Sequence, residues 1–148
     1  MATNPNLIPG TLNRVRASII IPAFPSLNIP AQFQAKEGLT ISPQGQVTTQ
    51  IPGMTTIVNS EEPYQIVQIT SAVIKSLAIS AAYLDKIKSG SILGDVTLVP
   101  DTNVLPKFQI YNAAIINWNQ ISMAGLQADF TLMISGQMNV NNDLWSLI

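Results

Sequence analysis

The side chains that carry most acid–base and nucleophilic chemistry are missing from this sequence, which has no His and no Cys. Without histidine a Ser-His-Asp triad is impossible, and without cysteine there is neither a thiolate nucleophile nor a Cys-based zinc site. Eight carboxylates remain. Asp95 and Asp101 flank the strand-like run Val-Thr-Leu-Val and can be imagined as an acid and a base, but Asp at a strand end or beside Pro is an ordinary turn choice. Glu61 and Glu62 precede Pro63 in a turn, where two adjacent carboxylates stay solvated more readily than they hold a metal. There is no G-x-x-x-x-G-K-[ST] phosphate loop. The expectation is a protein that is not an enzyme, with no catalytic residue, metal or cofactor.

Binding chemistry is a better prospect. Arg14 and Arg16 share a strand face with Ser18, where they either touch phosphates lining a groove or keep an exposed strand from mispairing. Trp118 and Trp145 either stack on bases or sugars or anchor a core or a subunit contact, and the second use is the commoner for aromatics this sparse. Net charge is −1, so no basic field gathers nucleic acid for sequence reading. Charged residues make up 10% of the chain, against roughly 25% in an average soluble domain. Their places are taken by Asn, Gln, Ser and Thr. A neutral surface of polar and apolar groups is poorly suited to a free monomer and well suited to being covered by other copies.

The elements that must position these residues follow from periodicity. The 148 residues make one domain, 1–148, with an irregular arm over 1–12. "RVRASIII" alternates and predicts a first strand. The prolines of "PAFPSLNIP" predict an extended loop or edge. "AQFQAKEGLTIS" alternates again, with Gln32, Gln34 and Lys36 opposite Phe33 and Ala35 and a bend or bulge at Gly38. "SPQGQVTTQIPG" predicts a projecting hairpin over 42–53, where Gln44, Gln46, Thr48, Thr49 and Gln50 are candidates, with Trp145, for contacts to another subunit or ring. Between Ala72 and Lys88 the apolar residues Val73, Ile74, Leu77, Ala81, Leu84 and Ile87 recur at helical steps, predicting an amphipathic helix capped by Thr70 or Ser71 and stopped by Gly90. "SILGDVTLVP", "KFQIYNAAIINWNQ" and "ADFTLMISGQMNVN" are strands. In the last, even residues from Phe130 to Val140 predict a buried face, leaving Thr131, Ser135, Gln137 and Asn139 on the other. Together with Arg14, Arg16, Gln32 and Gln34 these are candidates to face a lumen or a neighbouring subunit. The expected fold is mainly β: an antiparallel β-sandwich or barrel with one flanking α-helix and a long projecting hairpin. No stretch is long and apolar enough to predict a membrane-spanning helix, and no secretory leader is expected.

From about Val58 to Trp145, "NSEEPYQIVQIT", the helix, "GDVTLVPDT…LPKFQIYNAAIINW" and "GLQADFTLMISGQMNVNNDLW" together resemble tail tube proteins of contractile-tailed bacteriophages. The first third matches them only in layout. The resemblance implies hexameric rings that stack into a hollow tube, with sheets of neighbouring subunits joined around the lumen and hairpins reaching the next ring. It implies a tail sheath protein, baseplate and tape-measure proteins as partners, passage of double-stranded DNA without sequence recognition, and location in the virion after assembly in the bacterial cytoplasm. Baseplate or tail-terminator ring proteins, and the tube proteins of type VI secretion systems and contractile bacteriocins, are alternatives of related fold. A monomeric ligand-binding barrel is a third class, for which the sequence offers no evident entrance.

Overall fold

The computed structural model describes residues 16–74, 78–101, 105–121, 123 and 129–141. Its strands are β1 (Ala17–Ile20), β2 (Gln34–Pro43), β3 (Thr48–Pro52), β4 (Ile57–Glu61), β5 (Tyr64–Ile74), β6 (Ile92–Pro100), β7 (Phe108–Trp118) and β8 (Asp129–Asn139), with one α-helix among the described residues, α1 (Ala78–Ser89). Six strands form an antiparallel sheet in the order β1-β6-β7-β8-β5-β2, curled into a half-barrel, while β3 and β4 pair, among the described residues, only with each other. The mainly β class expected from the alternating runs is the class observed.

The curl has local causes. The β2–β5 register slips between Gln34 and Leu39, the β6–β7 register slips on both sides of Gly94, and the β7–β8 register slips between Tyr111 and Ala114. Residues in the left-handed region sit at these slips: Gly38 at φ 66°, Gly94 at φ 82° and Asn112 at φ 53°. Each is a bulge that bends its strand and raises the local twist, and Gly and Asn are the residues that adopt that conformation most cheaply. Gly136 serves the same bend from across the ladder. A Cβ there would lie 2.5 Å from Ile110 Cγ2 and 2.9 Å from the Tyr111 carbonyl, so only a glycine lets β8 approach the bulged strand.

The core fills the concave side. Phe130, Leu132 and Ile134 of β8 are at most 1% exposed, and across the ladder they meet Val73, Ser71 and Ile69 of β5. Met138, further along the same face, is half-buried against this core. Ser71 carries a buried hydroxyl without a hydrogen-bond partner among the described groups. The proline-rich segment after β1 folds back: Leu27 and Ile29 are buried, and Ile29 exchanges two 2.9 Å backbone hydrogen bonds with Ile19. Helix α1 packs on this segment, with Tyr83 fully buried and its hydroxyl donating to the Leu27 carbonyl. Lys86 Nζ lies 3.8 Å from the centre of the Phe24 ring, near the helix end.

The helix and the hairpin differ from expectation in their boundaries, and Ala31–Phe33, expected in a strand, form a 3-10 turn before β2. The helix starts at Ala78, not Ala72: Ala72, Val73 and Ile74 continue β5, and Thr70 and Ser71 are strand residues instead of caps. Its buried residues are Ile79, Ser80 and Tyr83, while Ala81 is exposed and Leu84 and Ile87 are half-buried. Gly90 does end it, its N–H reaching the Lys86 carbonyl at 2.8 Å. The hairpin is Thr48–Glu61 with its tip at 53–56, whereas Ser42 and Pro43 belong to β2. Arg14, Leu77, Trp145 and the arm 1–12 lie outside the described residues.

Candidate assembly surface

The convex face of the sheet is chemically uniform. Side chains directly opposite one another in an antiparallel ladder share a face, so the register places Thr40 and Ser42 of β2 beside Thr70 and Gln68 of β5, and these beside Met133 and Ser135 of β8. The row runs on through Ile66 and Tyr64 to Gln137 and Asn139. All are half-buried or exposed, and none is charged. Thr131 is opposite Ala72 at the other end of this face, followed by Asp129, the one charge among the described side chains of these rows. Ser135 Oγ donates to the Val67 carbonyl at 3.3 Å.

The sheet's two edges are treated differently. Along the outer edge of β1 the main chain is occupied: Ile19 is bonded to Ile29, the Ile21 N–H donates to Asn28 Oδ1 at 2.7 Å, and Gln34 Nε2 donates to the Ala17 carbonyl at 2.7 Å. Gln34 is therefore committed to holding the half-barrel's two edges together, where the ladder itself does not close. Arg16 is committed as well, its Nε 3.0 Å from Asp101 Oδ2 of the same chain, with the Arg16 side chain 75% exposed. Gln32 is exposed beside this pair, in a shallow pocket with Ser18 and Pro30. Along β2 the outer edge has no partner among the described residues. The Gln44 N–H donates to the Ile66 carbonyl, which fixes the alternation: Thr40 and Ser42 face β5, and Leu39, Ile41 and Pro43 turn their main chain away from it. Pro43 has no N–H to offer and Gly38 begins a bulge, so the open stretch is short.

The hairpin stands on a polar base. Thr49 Oγ1 donates to Glu62 Oε1 at 2.7 Å, and Asn141 Nδ2 bridges the Val47 and Glu62 carbonyls at 2.9 and 2.8 Å. Gln65 Nε2 donates to the Gly45 carbonyl at 2.8 Å, and Gln44 Nε2 to Ser42 Oγ at 3.2 Å. Gln46 and Gln50 are exposed, and Thr48 is half-buried. Beyond the base, every residue of β4 is exposed. Ile51 lies opposite Val58 and Pro52 opposite Ile57. Ile51, Ile57 and Val58 are more than half exposed, and Met54 at the tip is completely so.

In the sequence the polar residues of the first hairpin strand stand out as candidates, and Ile57 and Val58, the apolar half of the same element, do not. Their signal was present: Pro52-Gly53 is a turn, and alternating residues flank it on both sides. Trp118, assigned there to a core or a subunit contact, is 41% exposed at the end of β7. Asp95 is exposed on β6, and Asp101 is taken up by Arg16. No group of three or more acidic side chains is placed to hold a metal among the described residues. No helix of the described residues is long and apolar enough to cross a membrane. No protein-family model matches the chain, and no curated protein matches it significantly.

Proposed function

We propose that this chain is the subunit of a self-assembling tube, stacked as hexameric rings into the hollow core of a contractile phage tail, through which duplex DNA passes. The observation that carries the proposal is the β3–β4 hairpin. A two-stranded hairpin is marginal in water without a surface to pack on, yet this one holds Ile51, Met54, Ile57 and Val58 exposed and has no charge between Thr48 and Ser60. Such an element gains its packing from a second molecule. Donor and receiving surfaces on the same chain are then different patches, the head-to-tail arrangement that closes into rings or grows into filaments.

The convex face of β2, β5 and β8, where Asp129 is the one charged side chain among those described, supports the conduit. A wall rich in Lys and Arg would hold a phosphate backbone through counterion release, whereas hydroxyls, amides and thioethers interact with it weakly and let it slide. Electron microscopy of the concentrated, purified protein tests the proposal. Hollow rods are the expected result; isolated rings would indicate a terminator or baseplate role, and a dispersed monomer at every concentration would overturn assembly altogether.

A further inference from the structure

The hairpin meets the half-barrel through side-chain amides. Its basal pair is Val47 and Glu62, where the Glu62 N–H donates to the Val47 carbonyl at 2.9 Å, and its tip closes with the Gly53 N–H on the Thr56 carbonyl at 2.8 Å. Between these ends the alternation of an antiparallel ladder makes Thr49–Ser60 and Ile51–Val58 the pairs whose main-chain groups face each other. Among the described residues no third strand lies beside β3 or β4, and a two-stranded ladder is marginal on its own.

Asn141, two residues past the end of β8, spans the basal pair. Its Nδ2 donates to the Val47 carbonyl at 2.9 Å and to the Glu62 carbonyl at 2.8 Å, one hydrogen to each arm of the hairpin. Asn141 reaches this place with φ 52°, in the left-handed region that Asn tolerates better than most residues. The Val140 N–H beside it donates to the Pro63 carbonyl at 3.3 Å, and the buried Gln65 holds the Gly45 carbonyl.

The geometry points to Asn141 as a latch on the hairpin. Closed, its amide ties both arms to the end of β8 and makes the hairpin a continuation of the folded body. Open, it leaves the hairpin to the weak cohesion of two exposed strands. The latch is no part of the element it holds: it lies 94 and 79 residues along the chain from the two carbonyls it grips. A displacement of the chain at the end of β8 therefore releases both arms together. The device sits within one subunit and does not depend on the tube reading.

Amide hydrogen exchange on the dispersed subunit at low concentration tests the latch. In the parent the amides of Thr49, Ile51, Val58 and Ser60 should exchange well below the rate of an unstructured peptide. Asn141→Gly keeps the left-handed backbone accessible and removes only the side-chain amide. It should speed exchange at those four positions by about tenfold and leave Ile69 and Ile134, in the core ladder, at parent rates. Asn141→Asp sets a carboxylate oxygen against two carbonyls and should speed it at least as much. Hairpin exchange at the parent rate in either variant would overturn the latch. So would parent hairpin amides that exchange like a peptide's, or an acceleration at Ile69 and Ile134 equal to the hairpin's, since the loss would then be global.

Discussion

The β5–β8 pair and the β3–β4 pair are both antiparallel ladders of alternating residues with one carboxylate apiece, Asp129 and Glu61, and they differ in what lies behind them. Behind β5–β8 is a packed core, with Val67, Ile69, Phe130, Leu132 and Ile134 nearly or wholly inaccessible. Among the described residues neither face of β3–β4 meets such a core, and Ile51 and Val58 are exposed on it. In one ladder the hydrophobic residues hold the subunit together. In the proposed assembly those of the other pack on a neighbour, so removing them should change association and not folding.

The largest effect on folding is expected in the first ladder. Leu132→Ala removes a fully buried side chain facing β5 and should cost about 3 to 5 kcal/mol in urea unfolding. Val58→Ala, a comparable truncation in the second ladder, has no cavity to leave. Gly136→Ala comes next, because the new methyl group collides with Ile110 and the Tyr111 carbonyl at the bulge; a loss of about 1 to 3 kcal/mol is expected from such overpacking.

Tyr83→Phe is the third step down. It leaves the buried Leu27 carbonyl without its donor, at a cost of about 1 to 2 kcal/mol. It also has a signature in pH. Burial pushes the Tyr83 phenol well above its ordinary value, so the folded state keeps a proton that the unfolded chain releases near pH 10. The contribution is complete below that value and is lost as pH rises above it, by up to about 1.4 kcal/mol per pH unit. The parent should show that alkaline decline, and Tyr83→Phe should show less of it.

How far these differences were legible in the sequence depends on whether one face of an element was buried. In β8 the alternation of Phe130, Leu132 and Ile134 with Thr131, Met133 and Ser135 is clean because only one side meets the core, and the buried face follows from it. In β5 the consecutive residues Ser71, Ala72 and Val73 are all buried. A strand covered on both sides loses its period of two, and the run into Val73 and Ile74 then imitates the start of a helical stripe. The bulge at Asn112 left little local mark, since the glycine that makes room for the bulged strand, Gly136, lies across the ladder and not beside it in sequence. The chemistry of the candidate surface was legible in composition, through the missing charge. Its geometry was not, because the occupied edge of β1 depends on Gln34 and Ile29 meeting it from elsewhere in the chain.

The most direct test of the hairpin's role is sedimentation velocity on the double variant Ile51→Ser/Val58→Ser beside the parent, over a range of protein concentrations. Its unfolding midpoint in urea should stay close to the parent's, since neither side chain is part of the core. The parent should sediment as large, concentration-dependent assemblies and the variant as a monomer. A variant that assembles as readily as the parent, or that unfolds as Leu132→Ala does, would contradict the division between a ladder that folds the subunit and a ladder that joins it to the next.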